Sequence, residues 1–239
     1  MKHRIILVIV IIGIWQGLFL MVHNPLILPS PTDVLLRMIS MISDISFYEI
    51  LMITFFHICV VIAISIILAF LLAYIGYTHP IIDAYVSPCL SMIQATPNIS
   101  IIILLLIWTK AIYVVYIILF IVVFPLLYNN YSQGFKGIDQ DLKDAITLYH
   151  PPFFYKMIHV YLPLMKGHFL SGLKNALSLS VKVTVMAEIM AQLPQGIGRE
   201  INYSRIQFDM AGVFAWTIWL LIIILLIEYL LQKIITDYK

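Results

Sequence analysis

Charge is scarce in this chain. Asp, Glu, Lys and Arg make up 11% of its 239 residues, against about 25% in an ordinary soluble domain, which excludes a fold with a solvated surface all round. The devices of several chemistries are also missing. No phosphate-cradling glycine loop, HExxH helix or strained serine turn is present, so neither ATP hydrolysis nor zinc or serine hydrolysis is expected of the chain itself. Cysteine occurs twice, at Cys59 and Cys89. Both fall within apolar runs, where a small polarisable filler explains them better than a disulfide or a metal pair. His150, His159 and His168 are nine residues apart in a proline-broken segment, which suits interfacial or capping roles and not a helical i, i+4 metal pair. Gly/Ser linkers, internal repeats and low-complexity tracts are absent, and a single domain over residues 1–239 is expected. A net charge of +2 gives no reason to invoke nucleic acid.

What the chain has instead is apolar length. Hydrophobic residues reach 62% and mean hydropathy is +1.02; at about 20 residues per helical span there is room for six spans and no separate soluble domain. The runs are Ile5 to Val22, about Glu49 to Tyr77, about Asp83 to Thr109, a fourth from after Lys110 to about Tyr128, about Phe169 to Met190, and about Met210 to Leu231. The first run follows Lys2 and Arg4 but lacks a small-residue cleavage site, so an uncleaved span is expected there. Between the first two runs, Pro29, Pro31 and Thr32 open a helix at about Asp33.

Two of these runs carry polar groups that lipid does not tolerate cheaply. The third contains SMIQATPNIS in its middle; Gln94 and Asn98 need polar partners, and Pro97 frees a backbone carbonyl. A broken helix lining a substrate path and a structural proline kink are both open readings. On the fifth run, Ser171, Asn175, Ser178 and Lys182 fall within a stripe about 60° wide at ~100° per residue. Such a stripe lines water or buries itself against another helix. Lys182 either lines a path and favours a solute with a negative group, or pairs with a carboxylate such as Glu188. Glu188 itself, near the end of that run, is either a gate contact or a water-exposed helix-end acid.

One long segment is neither lipid-soluble nor a short turn: Lys143 to Pro163, KDAITLYHPPFFYKMIHVYLP. It resembles the cytoplasmic coupling motif of the membrane subunits of binding-protein-dependent ABC importers, which reads Glu-Ala-Ala, three residues, Gly, nine residues, Ile, one residue, Leu-Pro. Asp144 stands for the Glu, Ala145 for the first Ala, Ile146 for the second, Val160 for the Ile, and Leu162 and Pro163 for the closing pair, without a gap. His150 takes the place of the Gly. Pro151 biases His150 away from the helical region and Pro151 and Pro152 lack amide protons, so the first helix of the segment should stop at about Tyr149. Weaker matches, in order along the chain from about Pro25 to Ile235, are LPSP at Leu28 to Pro31, the proline-broken third span, and Ala187-Glu188 followed by Gly196 and Gly198.

The resemblance implies an all-α membrane protein with six transmembrane helices in the type I ABC importer permease fold, with a family core at about 45–235 and a coupling region at about 139–163. It implies a transport subunit and not an enzyme, with no cofactor of its own, ATP being bound by a partner ATPase dimer. A second copy of the chain (a homodimer) and an extracytoplasmic solute-binding protein are the other implied partners. The expected solute is small and anionic, such as a sulfonate, taurine or nitrate; a thiamine pyrimidine precursor or other heteroaromatic is the alternative, with an ATP-independent channel or secondary transporter behind both. Six spans put both termini on one side. Lys2, Arg4, Lys136, Lys143, Lys156, Lys166, Lys233 and Lys239 then share a face against Arg37, Lys110, Arg199 and Arg205, which places the coupling region and termini in the cytosol of a bacterial cell with the chain in its cytoplasmic membrane.

Overall fold

The computed structural model describes residues 2–149 and 151–237, and among these every regular element is helical. Helix α1 (Lys2–Val22) is followed by a short amphipathic α2 (Pro31–Ile42). The start of α2 is set by local chemistry: Ser30 accepts from the Asp33 N–H at 3.1 Å and donates to the Asp33 carboxylate at 2.6 Å, while Pro31 occupies the first turn, where no N–H is missed. Val34, Met38 and Met41 form its buried face. Leu35, Leu36 and Ile39 point outward.

Helix α3 (Ile45–Thr78) starts four residues earlier than its apolar run suggests, because Asp44 caps it by accepting from the Ser46 N–H at 3.0 Å. Hydrogen bonds from Ser46 hold the Asp44 carboxyl below its ordinary pKa. At ~1.5 Å per residue α3 is roughly 50 Å long, more than the ~30 Å hydrocarbon core. Tilt across the bilayer or projection past the hydrocarbon core accommodates the excess. Then come α4 (Pro80–Ala95) and α5 (Asn98–Trp108), a pair bent by 92°, where the sequence suggests one run broken in the middle. Helix α6 (Ala111–Lys136) runs well past the expected Tyr128. Tyr131, Ser132, Gly134 and Phe135 are buried in the helix packing, and burial against neighbours, not lipophilicity, extends the helix.

The segment after α6 holds α7 (Gln140–Tyr149), a turn of α8 (Phe153–Tyr155), a π-helical stretch (Lys156–Tyr161) and α9 (Leu162–Leu164). Helix α10 (Lys166–Met190), outer helix α11 (Ile197–Ile206) and α12 (Met210–Asp237) complete the chain.

Ile45–Thr78, Ala111–Lys136 and Met210–Lys233 are each long and apolar enough to cross a membrane, and α4 with α5 qualifies as a bent pair. Of the six expected spans, those at α3, α6, α12 and the α4–α5 pair meet that measure among the described residues, while α1, with the shorter apolar stretch Ile9–Val22, and α10 do not. Helix α10 has the length, at 25 residues, but its polar stripe lowers its apolarity. A tight centre joins α3, α6 and α10 through Ile58, Ile62, Ile118, Leu119, Ala176 and Val183. A second cluster, with Val34, Phe47, Val185, Ile197 and Trp216, joins α2, α3, α10, α11 and α12 at one end, here called the outer end. The coupling segment marks the inner end. Large apolar side chains cover the outside, among them Met52, Phe56 and Ile67 on α3 and Leu225 and Tyr229 on α12. Water would penalise this surface and lipid does not.

Candidate functional site

Pro97 creates the first feature. Its ring removes an N–H, α4 ends in extended backbone at Thr96, and the Thr96 N–H closes the last turn on the Ile93 carbonyl at 3.2 Å. Two predicted site residues, Gln94 and Asn98, flank this break. Both line a cleft of about 210 Å³ with Ile93, Ile121 and Val122 and with Leu179 of α10. Gln94 accepts a hydrogen bond from Asn129 of α6 at 3.2 Å. The hydroxyls of Ser91 and Thr96 fold back on carbonyls one turn earlier, at 2.9 and 3.1 Å.

The polar stripe of α10 lies beside this cleft. Ser171, Asn175 and Lys182 are exposed and Ser178 is half-buried, while Gly172, Ala176, Ser180, Val183 and Ala187 on the opposite side are buried. Close packing fixes that orientation: a Cβ at Gly172 would meet Asn130 Cβ of α6 at 3.0 Å. The stripe is thus turned away from the helices of its own chain.

Glu188 does something else. Its partners are all on the buried side, so the pairing of Lys182 with Glu188 does not form; six residues separate the two, about 240° around the helix. Glu188 is fully buried, not a water-exposed helix end. Thr54 of α3 donates to its Oε1 at 2.9 Å and the Gly198 N–H donates to its Oε2 at 2.8 Å. The Thr54 oxygen in turn accepts from the Ile197 N–H at 2.9 Å. His57 Nδ1 stands 3.5 Å from Oε1, and its ring packs edge-on against Tyr116. Gly196 turns with φ +124°, and a Cβ there would lie 2.6 Å from the Glu188 Cδ, so only glycine reaches this conformation without strain.

At the inner end, α7 stops at Tyr149 as the prolines require. Asp144 is exposed and accepts from Gln140 Nε2 at 3.1 Å. Ala145 lies in the same helix, its side chain outside the described set, and His150 lies outside the described residues. Leu142, Leu148 and Tyr149 present apolar surface outward from α7. Past the prolines, Val160 and Leu162 are half-buried and Pro163 is exposed. Pro163 cannot donate to the helix ladder, and the preceding residues widen into π geometry, with the Leu162 N–H bonding the Met157 carbonyl five residues back.

Behind this segment stands a group of rings. Phe135 packs against Tyr74, Tyr77 and Tyr161 at centroid distances of 5.8, 5.4 and 5.4 Å, and Tyr74 meets Phe153 at 5.6 Å. Lys143 of α7 lies over the Tyr77 ring at 5.4 Å, and Lys156 over Tyr74 at 5.8 Å. Burial pushes the Tyr161 phenol above its ordinary pKa. Alongside, Asp83 of α4 accepts from Lys136 at 2.7 Å and from Tyr128 at 2.6 Å, tying α4 to α6.

Thr54, His57 and Tyr161 were not singled out by sequence reasoning, and Asp83 and Lys136 were given no site role by it. For Asp83 a signal existed, since Pro80 and an acid three residues on mark a helix start. The Thr54 and His57 contacts cross more than 130 residues of chain and no local pattern announces them.

Similarity to known proteins fits these features. A formylaminopyrimidine transport permease protein, ThiX, of Halalkalibacterium halodurans is 26% identical over 208 residues, covering 84% of this chain and 80% of that protein. Residues 65–237 match the family described as binding-protein-dependent transport system inner membrane component, whose members have the type I ABC permease fold. An all-helical membrane protein with a broken apolar helix and a polar-striped neighbour, this chain belongs to that family of transport-system membrane components.

Proposed function

We propose that two copies of this chain form the translocation path of an ATP-driven importer in the bacterial cytoplasmic membrane, with both termini and the α7 segment in the cytosol. One observation carries the reading: the stripe of exposed Asn175 and Lys182 with half-buried Ser178 between them, beside the Gln94 and Asn98 cleft. Lipid cannot face that stripe cheaply, so a second copy with water between the two is the occupant that satisfies it. An ATPase dimer docks on α7, where Asp144 and the outward apolar side chains of Leu142, Leu148 and Tyr149 offer a mixed surface. ATP is bound there and not by this chain. A solute-binding protein delivers its cargo at the outer end. ATP favours the closed ATPase dimer, and that differential affinity biases the permease between inward-facing and outward-facing states.

For the solute, two readings each have an observation. Similarity to a formylaminopyrimidine permease favours a small pyrimidine of the thiamine-precursor kind. Lys182, exposed and without an ion pair among the described residues, favours an anion such as a sulfonate, taurine or nitrate. Uptake by the reconstituted transporter carrying Lys182→Met separates them. Loss of sulfonate or nitrate uptake assigns Lys182 to an anion path; unchanged affinity and rate for every solute carried removes Lys182 from the path.

A further inference from the structure

The buried carboxylate of Glu188 is left over by the path and by the docking loop. It sits near the outer end of α10, about one and two-thirds turns beyond Lys182, at a point where three pieces of chain converge. Thr54 joins it to α3; the N–H of Gly198 joins it to the first turn of α11; and Thr54 again, through the Ile197 N–H, joins α3 to α11. The backbones also touch. A Cβ at Gly198 would lie 2.5 Å from the Val185 carbonyl of α10 and 2.6 Å from Glu188 Cβ, so no slack exists between the end of α10 and the start of α11. Glu188 is completely buried, as is Thr54; its carboxylate oxygens accept from the Thr54 hydroxyl and the Gly198 N–H, with His57 Nδ1 3.5 Å away, and a buried polar group is costly to leave without such bonds.

Helix α11 buries Ile197, Gly198 and Ser204 but has an exposed face. Tyr203 and Ile206 project outward, and Arg199 and Glu200 pair beside them, on the surface a partner at the outer end would reach. We propose that Glu188 and Thr54 are positioning residues that lock α11 to α10, so that a binding protein pressing on α11 displaces the Asn175 and Lys182 stripe as one body with it. This inference rests on the importer reading above. It adds a route by which docking at the outer surface reaches the path without passing through α7.

The test uses the assembled transporter, isolated through a tag on this chain, in lipid nanodiscs, with the binding protein added as purified with its own solute. Thr54→Val keeps the volume and removes both hydroxyl bonds; Thr54→Ser keeps the bonds. Stimulation of ATP hydrolysis by the binding protein should fall at least about fivefold in Thr54→Val, the low end of ordinary coupling between sites, with the unstimulated rate unchanged. Thr54→Ser should restore it. Equal stimulation in Thr54→Val and the parent overturns the proposal, as does a parallel loss of both rates, which marks mere structural support. Spin labels at Tyr203→Cys and Ser171→Cys, with Cys59 and Cys89 replaced and Thr54 intact, give an independent reading: the distance between the two labels within one copy should be the same with and without the binding protein, and a shift of it on addition overturns the proposal even where Thr54→Val fails to assemble. If the parent transporter shows no stimulation by any binding protein, the importer reading itself has failed.

Discussion

The two ends of this molecule are held together by different physics. At the outer end a buried carboxylate, a threonine and two backbone N–H groups are joined by three directional bonds of 2.8 to 2.9 Å, with His57 Nδ1 3.5 Å from the carboxylate. At the inner end the segment after α6 leans on rings, with Phe135, Tyr74, Tyr77 and Tyr161 in tilted, stacked and edge contacts and cations resting over ring faces. Hydrogen-bonded knots resist sliding because a small displacement orphans a buried polar group. Ring contacts are broad in geometry and lose little on a small shift. Under the proposed importer reading, a push delivered at the inner end would find the tolerant contacts there and the rigid ones at the far end.

The contrast can be broken by experiment. Gly198→Val should have the largest effect, since its side chain meets the Val185 carbonyl and Glu188 with no flexible neighbour to give way. A loss of about 3 kcal/mol is expected from overpacking of this kind, read as a lowered thermal midpoint in detergent; an unshifted midpoint would mean the outer end is slack. Phe135→Leu comes next. It removes part of a fully buried ring and should cost about 1–2 kcal/mol, less than the ~3–5 kcal/mol of a truncation to Ala. Its more telling effect is fewer solutes carried per ATP hydrolysed. Lys136→Met should matter least to stability. Its ammonium pairs with Asp83 at 2.7 Å, yet the lysine side chain is 57% exposed, and such pairs contribute about 0–1 kcal/mol. A midpoint change as large as that of Gly198→Val would show the inner end to be pinned as firmly as the outer.

Much of the fold was legible in the sequence because apolar length and proline placement are local signals. The break at Pro97, the stop of α7 at Tyr149 and the gathering of Asn175, Ser178 and Lys182 on one side of α10 all follow from side chains within a few residues, while the sequence left open whether that side meets water or another helix. Helix ends that depend on packing were less legible: α6 continues to Lys136 because Tyr131 and Phe135 are buried by α3 and the coupling segment. Least legible was Glu188. The sequence shows an acid near a helix end and two glycines after it, but its partner Thr54 lies 134 residues away. No periodicity links them. The 92° bend between α4 and α5 is also tertiary, since proline dictates that the helix breaks and not how far it turns.

Thiol labelling along α10 tests the central claim most directly. With Cys59 and Cys89 replaced, single substitutions Ser171→Cys, Asn175→Cys, Ser178→Cys and Lys182→Cys in membrane vesicles should react with a water-soluble, membrane-impermeant reagent from one side of the membrane, while Ala176→Cys and Val183→Cys on the buried side should not. A water-filled path between two copies predicts that pattern. Reaction of the stripe with lipid-soluble reagents alone would contradict it.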